Sequence, residues 1–285
     1  MLLLTMAVWG GNVSIVKLLV ERFDPVLVSS LRVLIASVTL LAVLRLRRLR
    51  WSRLSRRQWI GLAACSLLMV YVNQIVFTLG VQRTAAANAA LIIALNPLVS
   101  SLIAALWLGD RLTPARLAGV ALGFGGVASV VLSRPGAVLG HGGLGDLLVM
   151  CSVLTWVVGG VIVQRLARRL DSAVVSTVVF VLAAPLLLGH ALLDPGVPWP
   201  AWGQIGAGDV LLLCLSGVLA TALGGLVWNQ GLVRLGVARV ALYAYWVPLF
   251  GVGFAVLLLG EPVTLWHGLG LAAVLAGTWL GTRTR

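Results

Sequence analysis

The amino-acid sequence predicts an all-α integral membrane fold of ten transmembrane helices, arranged as two inverted five-helix repeats. Three observations carry that expectation. The 285 residues are 60% hydrophobic and only 10% charged, with a mean hydropathy of +1.07, whereas a soluble domain carries about a quarter charged residues. The apolar residues fall in runs long enough to cross a bilayer. The chain also matches itself when shifted by about half its length.

Runs of the required length, about 17–25 residues, fall at approximately 2–20, 25–44, 59–79, 86–108, 114–132, 145–164, 172–192, 209–231, 238–259 and 264–281. The shortest separations are Gly80–Ala85 and Leu232–Val237. Open strands leave backbone groups unsatisfied in lipid, and the alternation of a barrel is absent, so the spans are read as helices. The first run has no basic leader and no small-residue cleavage site, and Trp9-Gly10-Gly11-Asn12 interrupts it. It is read as a membrane helix, not a signal peptide.

Arginine orients these spans. One alternating set of loops holds Arg45, Arg47, Arg48, Arg50, Arg53, Arg56, Arg57, Arg111, Arg116, Arg165, Arg168, Arg169, Arg234, Arg239, Arg283 and Arg285. The opposite set holds only Lys17, Arg22, Arg83 and Arg134. Positive loops stay in the cytoplasm, so both termini are expected there. The same bias accounts for the net charge of +13. No basic and aromatic interleaving accompanies it, so no nucleic-acid partner is expected.

The self-match has a spacing of 151. Leu108-Gly109-Asp110 and Thr113 fall on Leu259-Gly260-Glu261 and Thr264, Pro97-Leu98 on Pro248-Leu249, and Gly80 and Arg83 on Gly231 and Arg234. Gly119 and Gly126 fall on Gly270 and Gly277. At a slightly different offset, Trp9, Ile15 and Val16 fall on Trp156, Ile162 and Val163. The halves are residues 1–140 and 141–285. Five helices per half is odd, so the halves cross in opposite senses, the arrangement that gives many carriers two exchangeable states.

The Trp9-Gly10-Gly11-Asn12 start, the intramembrane Arg32 and the twice-used Pro-Leu…Leu-Gly-Asp/Glu-x-x-Thr…Gly block (97–119 and 248–270) resemble the drug/metabolite transporter superfamily. More narrowly, the chain is similar to its ten-helix EamA-type exporters, with one EamA-like repeat in each half. That resemblance implies export of amino acids or related small metabolites across the cytoplasmic (inner) membrane by alternating access. The aromatic-rich ninth helix resembles the YddG-type exporters, which favour aromatic amino acids. The implied partners are a small-molecule substrate and the lipid bilayer, with the chain a monomer or weak homodimer. An exporter of other metabolites or drugs, an integral-membrane enzyme and a channel are the alternatives.

Candidate substrate-binding residues are the polar and aromatic side chains inside the spans, since such groups turn toward protein or a wet cavity and not toward lipid. They are Trp9, Asn12, Tyr71, Gln74, Asn88, Asn96, Trp156, Gln164, Asn229, Tyr243 and Trp246. Asn73 is a further uncharged polar residue of this kind. Tyr71, Gln74 and Thr78 share a face by α-helical spacing, as do Tyr243, Trp246 and Phe250. Interhelical hydrogen bonding is the competing role for each. Arg32 is a charge partner, read first as structural or snorkelling to an interface and second as the anchor of a substrate carboxylate. Asp110 and Glu261 are read first as caps for the helix that follows, ahead of gating or proton coupling.

Gly119/Gly123 and Gly277/Gly281 have the small-xxx-small spacing of packed membrane helices. Cys65, Cys151 and Cys214 lie inside apolar runs without metal-ligand spacing, and His141, His190 and His267 are isolated from one another. No metal-protease, nucleotide-loop or paired-acid motif is present, so no cofactor, metal or catalytic residue is expected.

Overall fold

The computed structural model describes residues 1–48, 54–108, 113–132, 143–167, 170–235, 240, 243–244 and 246–282. Over these residues the chain forms helices α1 (Leu2–Val20), α2 (Pro25–Leu46), α3 (Arg56–Gln82), α4 (Ala86–Ile93), α5 (Asn96–Leu108), α6 (Pro114–Leu132) and α7 (Gly143–Ala167). They continue with α8 (Ser172–Leu193), α9 (207–235), α10 (Trp246–Leu259) and α11 (Leu265–Thr282). Six of the described helices have a stretch long and apolar enough to cross a membrane, in α1, α2, α3, α7, α8 and α9, and shorter apolar helices accompany them. Large apolar side chains such as Leu4, Ile60, Leu147, Leu211 and Leu257 are exposed on the outside, the inverse of a water-facing globule.

Local chemistry sets the helix starts. Asp24 accepts the backbone N–H of Val26 at 2.7 Å and of Leu27 at 3.3 Å, with Pro25 in the first turn. Ser55 and Gln58 form a reciprocal capping box at the start of α3, and Asp171 accepts from Ala173 N at 2.7 Å at the start of α8.

Three helices depart from regular α winding. A single helix is expected over 86–108, but the chain breaks between Ile93 and Asn96. Pro97 supplies the reason: it lacks an N–H, and its ring excludes the carbonyl four residues earlier. α3 and α9 each contain a π-helical stretch, Ser66–Val72 and Leu215–Gly224. A 151-residue shift carries 66–72 onto 217–223, inside the second stretch.

Helix packing repeats the same correspondence. α1 packs on α9 and α10, while α7 packs on α3 and on α4 and α5; α2 packs on α9, while α8 packs on α3. The pairs α2–α8 and α6–α11 are their own counterparts. The α6–α11 contact is close because glycines face it. A Cβ at Gly277 would lie 2.5 Å from Gly119 O, and one at Gly126 would lie 2.9 Å from Gly270 O. These two contacts interchange under the shift.

Candidate functional site

Two large apolar clusters dominate the interior, beside a smaller one that includes Leu27 and Ala191. One of the large pair includes Val13, Leu95, Leu98 and Val153, the other Val33, Leu40, Val178 and Phe180. A cavity of about 140 Å³ draws its walls from both and from α1, α2, α3, α4, α5, α7, α8, α9 and α10. A cavity of about 150 Å³ accepts a benzene-sized ligand, so this one suits a small solute. Its apolar wall includes Trp9, Phe77, Trp156 and Phe180. Trp9 stands edge to face with Trp156 at 6.0 Å and tilted on Trp228 at 5.3 Å. The Trp9 indole N–H donates to Ala220 O at 2.9 Å, within the π-helical stretch of α9.

Arg32 is the charged member of the lining and is only 3% exposed. Its Nε donates to Ser216 Oγ at 2.6 Å, Nη1 to Gln74 Oε1 at 3.0 Å and Nη2 to Thr221 Oγ1 at 3.3 Å. Ser216 in turn donates to Asn12 Oδ1 at 2.5 Å, and Thr221 to Ser216 O at 2.8 Å. The π winding of α9 places Ser216 and Thr221, five residues apart, around the same guanidinium. Every acceptor is neutral, and among the described residues no Asp or Glu lines the cavity. Burying an ion costs several kcal/mol, which charge-assisted hydrogen bonds offset only in part. Nearby, Asn73 Nδ2 donates to Ser152 O at 2.7 Å and ties α3 to α7.

Residues 1–132 and 143–283 match the EamA-like transporter family. The chain belongs to that family. It is 27% identical over 285 residues to an uncharacterized transporter of Archaeoglobus fulgidus, covering 99% of this chain and 96% of that one. It is 32% identical over 253 residues to Protein RarD of Streptomyces exfoliatus, covering 86% of this chain and 76% of that one. A solved crystal structure shares the fold, with a TM-score of 0.68 and 20% identity over 98% of this chain and 94% of the other. This EamA-like chain is therefore a multi-pass membrane protein of a transporter family, and the Archaeoglobus relative is likewise named as a transporter.

Of the residues singled out from sequence, Trp9, Asn12, Arg32, Gln74, Asn96 and Trp156 line the cavity. Others are placed elsewhere. Tyr71 Oη meets His190 Nδ1 at 3.1 Å, while Gln74 and Thr78 face α2 through Arg32 and Ser29. The shared face expected for all three does not form, because Tyr71 lies in the π-helical stretch and loses the α-helical phase. Asn88 Oδ1 meets His267 Nε2 at 3.2 Å, and Asn229 Nδ2 donates to Ser176 at 2.8 Å. Tyr243 and Trp246 are 37% and 46% exposed on the outside of the bundle, with Trp246 against Phe250 at 6.1 Å. The Gln164 side chain and Asp110 lie outside the described residues.

Two expectations about charge change. Arg32 is enclosed and does not snorkel. Glu261 caps a helix, but not the one that follows it. Its Oε1 accepts from Ala86 N at 2.8 Å and its Oε2 from Ala87 N at 3.0 Å, at the start of α4 in the other half. The next helix, α11, starts from Thr264, whose backbone N–H donates to His267 Nδ1 at 3.1 Å. Ser152 and Thr221 were not singled out, since small hydroxyl residues are common in membrane helices for packing alone.

Proposed function

We propose that this EamA-like chain is a secondary transporter that exports amino acids or related small metabolites across the cytoplasmic membrane. The cavity is its substrate site, alternately opened to each side by two inverted five-helix halves, residues 1–140 and 141–285, with both termini cytoplasmic. The observation that carries the reading is the composition of the cavity wall. Trp9, Arg32, Gln74 and Asn96 come from the first half and Trp156, Phe180, Thr221 and Val247 from the second. A site shared between halves changes shape when they rock against each other. Matched π-helical stretches flank it in α3 and α9. Such stretches occur often at functional sites, and here they supply irregular backbone where the halves meet.

The wall of Trp9, Phe77, Trp156 and Phe180 favours solutes with an aromatic or branched body, and aromatic amino acids belong in the first panel. Trp9, Asn12, Gln74, Asn96 and Trp156 are the proposed contacts, joined by Asn73, Ser152 and Thr221.

Counterflow of labelled amino acids in proteoliposomes, at zero and imposed pH gradients, tests the function. Saturable counterflow is the expected result, and its gradient dependence identifies or excludes proton coupling. Conductive flux without saturation would replace the carrier with a channel. Absence of saturable amino-acid flux from folded protein would move the search to other metabolites or drugs.

A further inference from the structure

Among the described residues, Arg32 stands apart from the other cations that the structure pairs. Lys17 sits 3.5 Å from Glu21, and Arg22 sits 2.5 Å from Asp209. Arg32 is far more buried than Arg22 and has no carboxylate, only three neutral oxygens. A guanidinium has five N–H groups, two on each terminal nitrogen. Gln74 and Thr221 take one from each terminal nitrogen, so one remains on each. That pair belongs to a residue lining the cavity. Charged side chains inside a bilayer face the bundle interior or a cavity, pair with one another or with backbone carbonyls, and mark substrate pathways. The hydrogen-bond partners of Arg32 are neutral side-chain oxygens at a cavity wall.

We propose that Arg32 is the anchor for a substrate carboxylate, and that the transported solute is a small carboxylic acid whose apolar body lies against Trp9, Trp156 and Phe180. The proposal rests on the cavity being the substrate site. One guanidinium matches the single charge of a carboxylate, and its remaining N–H groups suit a two-oxygen acceptor. A phosphomonoester would bring about two negative charges at neutral pH to one cation. With no Asp or Glu among the described residues of the lining, a primary amine without a carboxylate meets an unopposed positive charge and is rejected. Gln74, Ser216 and Thr221 hold the guanidinium in place, and Asn12 orients Ser216 through the hydroxyl it accepts. Because all of these supports are uncharged, they do not compete with the ligand for the cation's charge.

The experiment is equilibrium binding to purified full-length protein in detergent, in chloride-free buffer, with an isosteric set. The set is phenylalanine, 3-phenylpropanoate, 3-phenylpropanamide and phenethylamine, alongside leucine, 4-methylpentanoate, 4-methylpentanamide and 3-methylbutylamine. Within at least one series the carboxylates are expected to bind about ten-fold or more tightly than the amide, with the amine weakest. Arg32→Gln should bring the acid-to-amide ratio close to one, and Arg32→Lys should leave it intermediate. An amide that binds wild-type protein as well as its acid overturns the anchor, as does a preference that survives in Arg32→Gln. Lack of binding by every carboxylate overturns it too. The wild-type ratio decides the matter even where a variant does not fold. Counterflow separates this inference from the transporter reading: carboxylate binding without counterflow removes transport and leaves the anchor. Counterflow with no acid-to-amide preference does the reverse.

Discussion

Two charged sites in this bundle meet opposite fates. At the loop between α10 and α11, both oxygens of Glu261 accept backbone N–H groups from the first turn of α4. Deep in α2, Arg32 donates to three neutral side chains and keeps donors in reserve at a cavity wall. The Glu261 carboxylate complements the unsatisfied N–H groups and positive end of a helix. The guanidinium has no comparable counter-charge. The contrast separates a charge that ties the fold together from one that the fold maintains at a cost, and mutation should expose it as a separation of stability from function.

The largest effect is expected from Arg32→Gln. Carboxylate transport should fall about 10- to 100-fold, the range for losing charge-assisted hydrogen bonds, while thermal stability in detergent changes little. A large loss of stability with the surviving protein transporting normally would make Arg32 a second Glu261 and break the comparison. Glu261→Ala should do the opposite. Losing the acceptor of two helix-start N–H groups should cost about 1–3 kcal/mol, read by chemical or thermal unfolding, with ligand affinity of the folded fraction unchanged.

Overpacking the glycine seam gives a purely structural reference. Gly277→Leu should destabilise the α6–α11 contact by about 1–3 kcal/mol, because a side chain there meets Gly119 and Gly123 backbone. A smaller effect separates the two tryptophans. Trp9→Phe removes the hydrogen bond to Ala220 O and should lower stability by about 1 kcal/mol, whereas Trp156→Phe should lose less. Tyr243→Ala, outside the cavity, should alter transport by less than about two-fold, as surface changes away from special features do. A strong Tyr243 effect would extend the site beyond the cavity.

The comparison also shows what is legible in one dimension. The apolar runs forecast α1 and α2 closely, 2–20 against Leu2–Val20 and 25–44 against Pro25–Leu46, because bilayer thickness is a length written directly into the chain. Pro97 marked the break between α4 and α5, though a continuous helix was expected there. The π-helical stretches had no such mark, since no residue type demands an i→i+5 bond, and Tyr71 was assigned to the wrong face in consequence. Asn12, Gln74, Asn88 and Asn229 turn inward while Tyr243 and Trp246 do not, and sequence could not divide those meeting the cavity, such as Asn12 and Gln74, from those bonded to other helices, such as Asn88 and Asn229. That division depends on which helix lies opposite.

By itself the sequence determined that this chain lives in a bilayer, where α1 and α2 run, and that a block of it recurs after 151 residues. Those are properties of composition and spacing, which solvent reads without reference to any partner segment. Only the tertiary structure decided that Glu261 caps a helix 175 residues away and that Arg32 faces Ser216 and Thr221 instead of an acid. The physical reason is that a charge's energy depends on what surrounds it in space, and burial, counter-charge and hydrogen bonding are settled when distant segments pack.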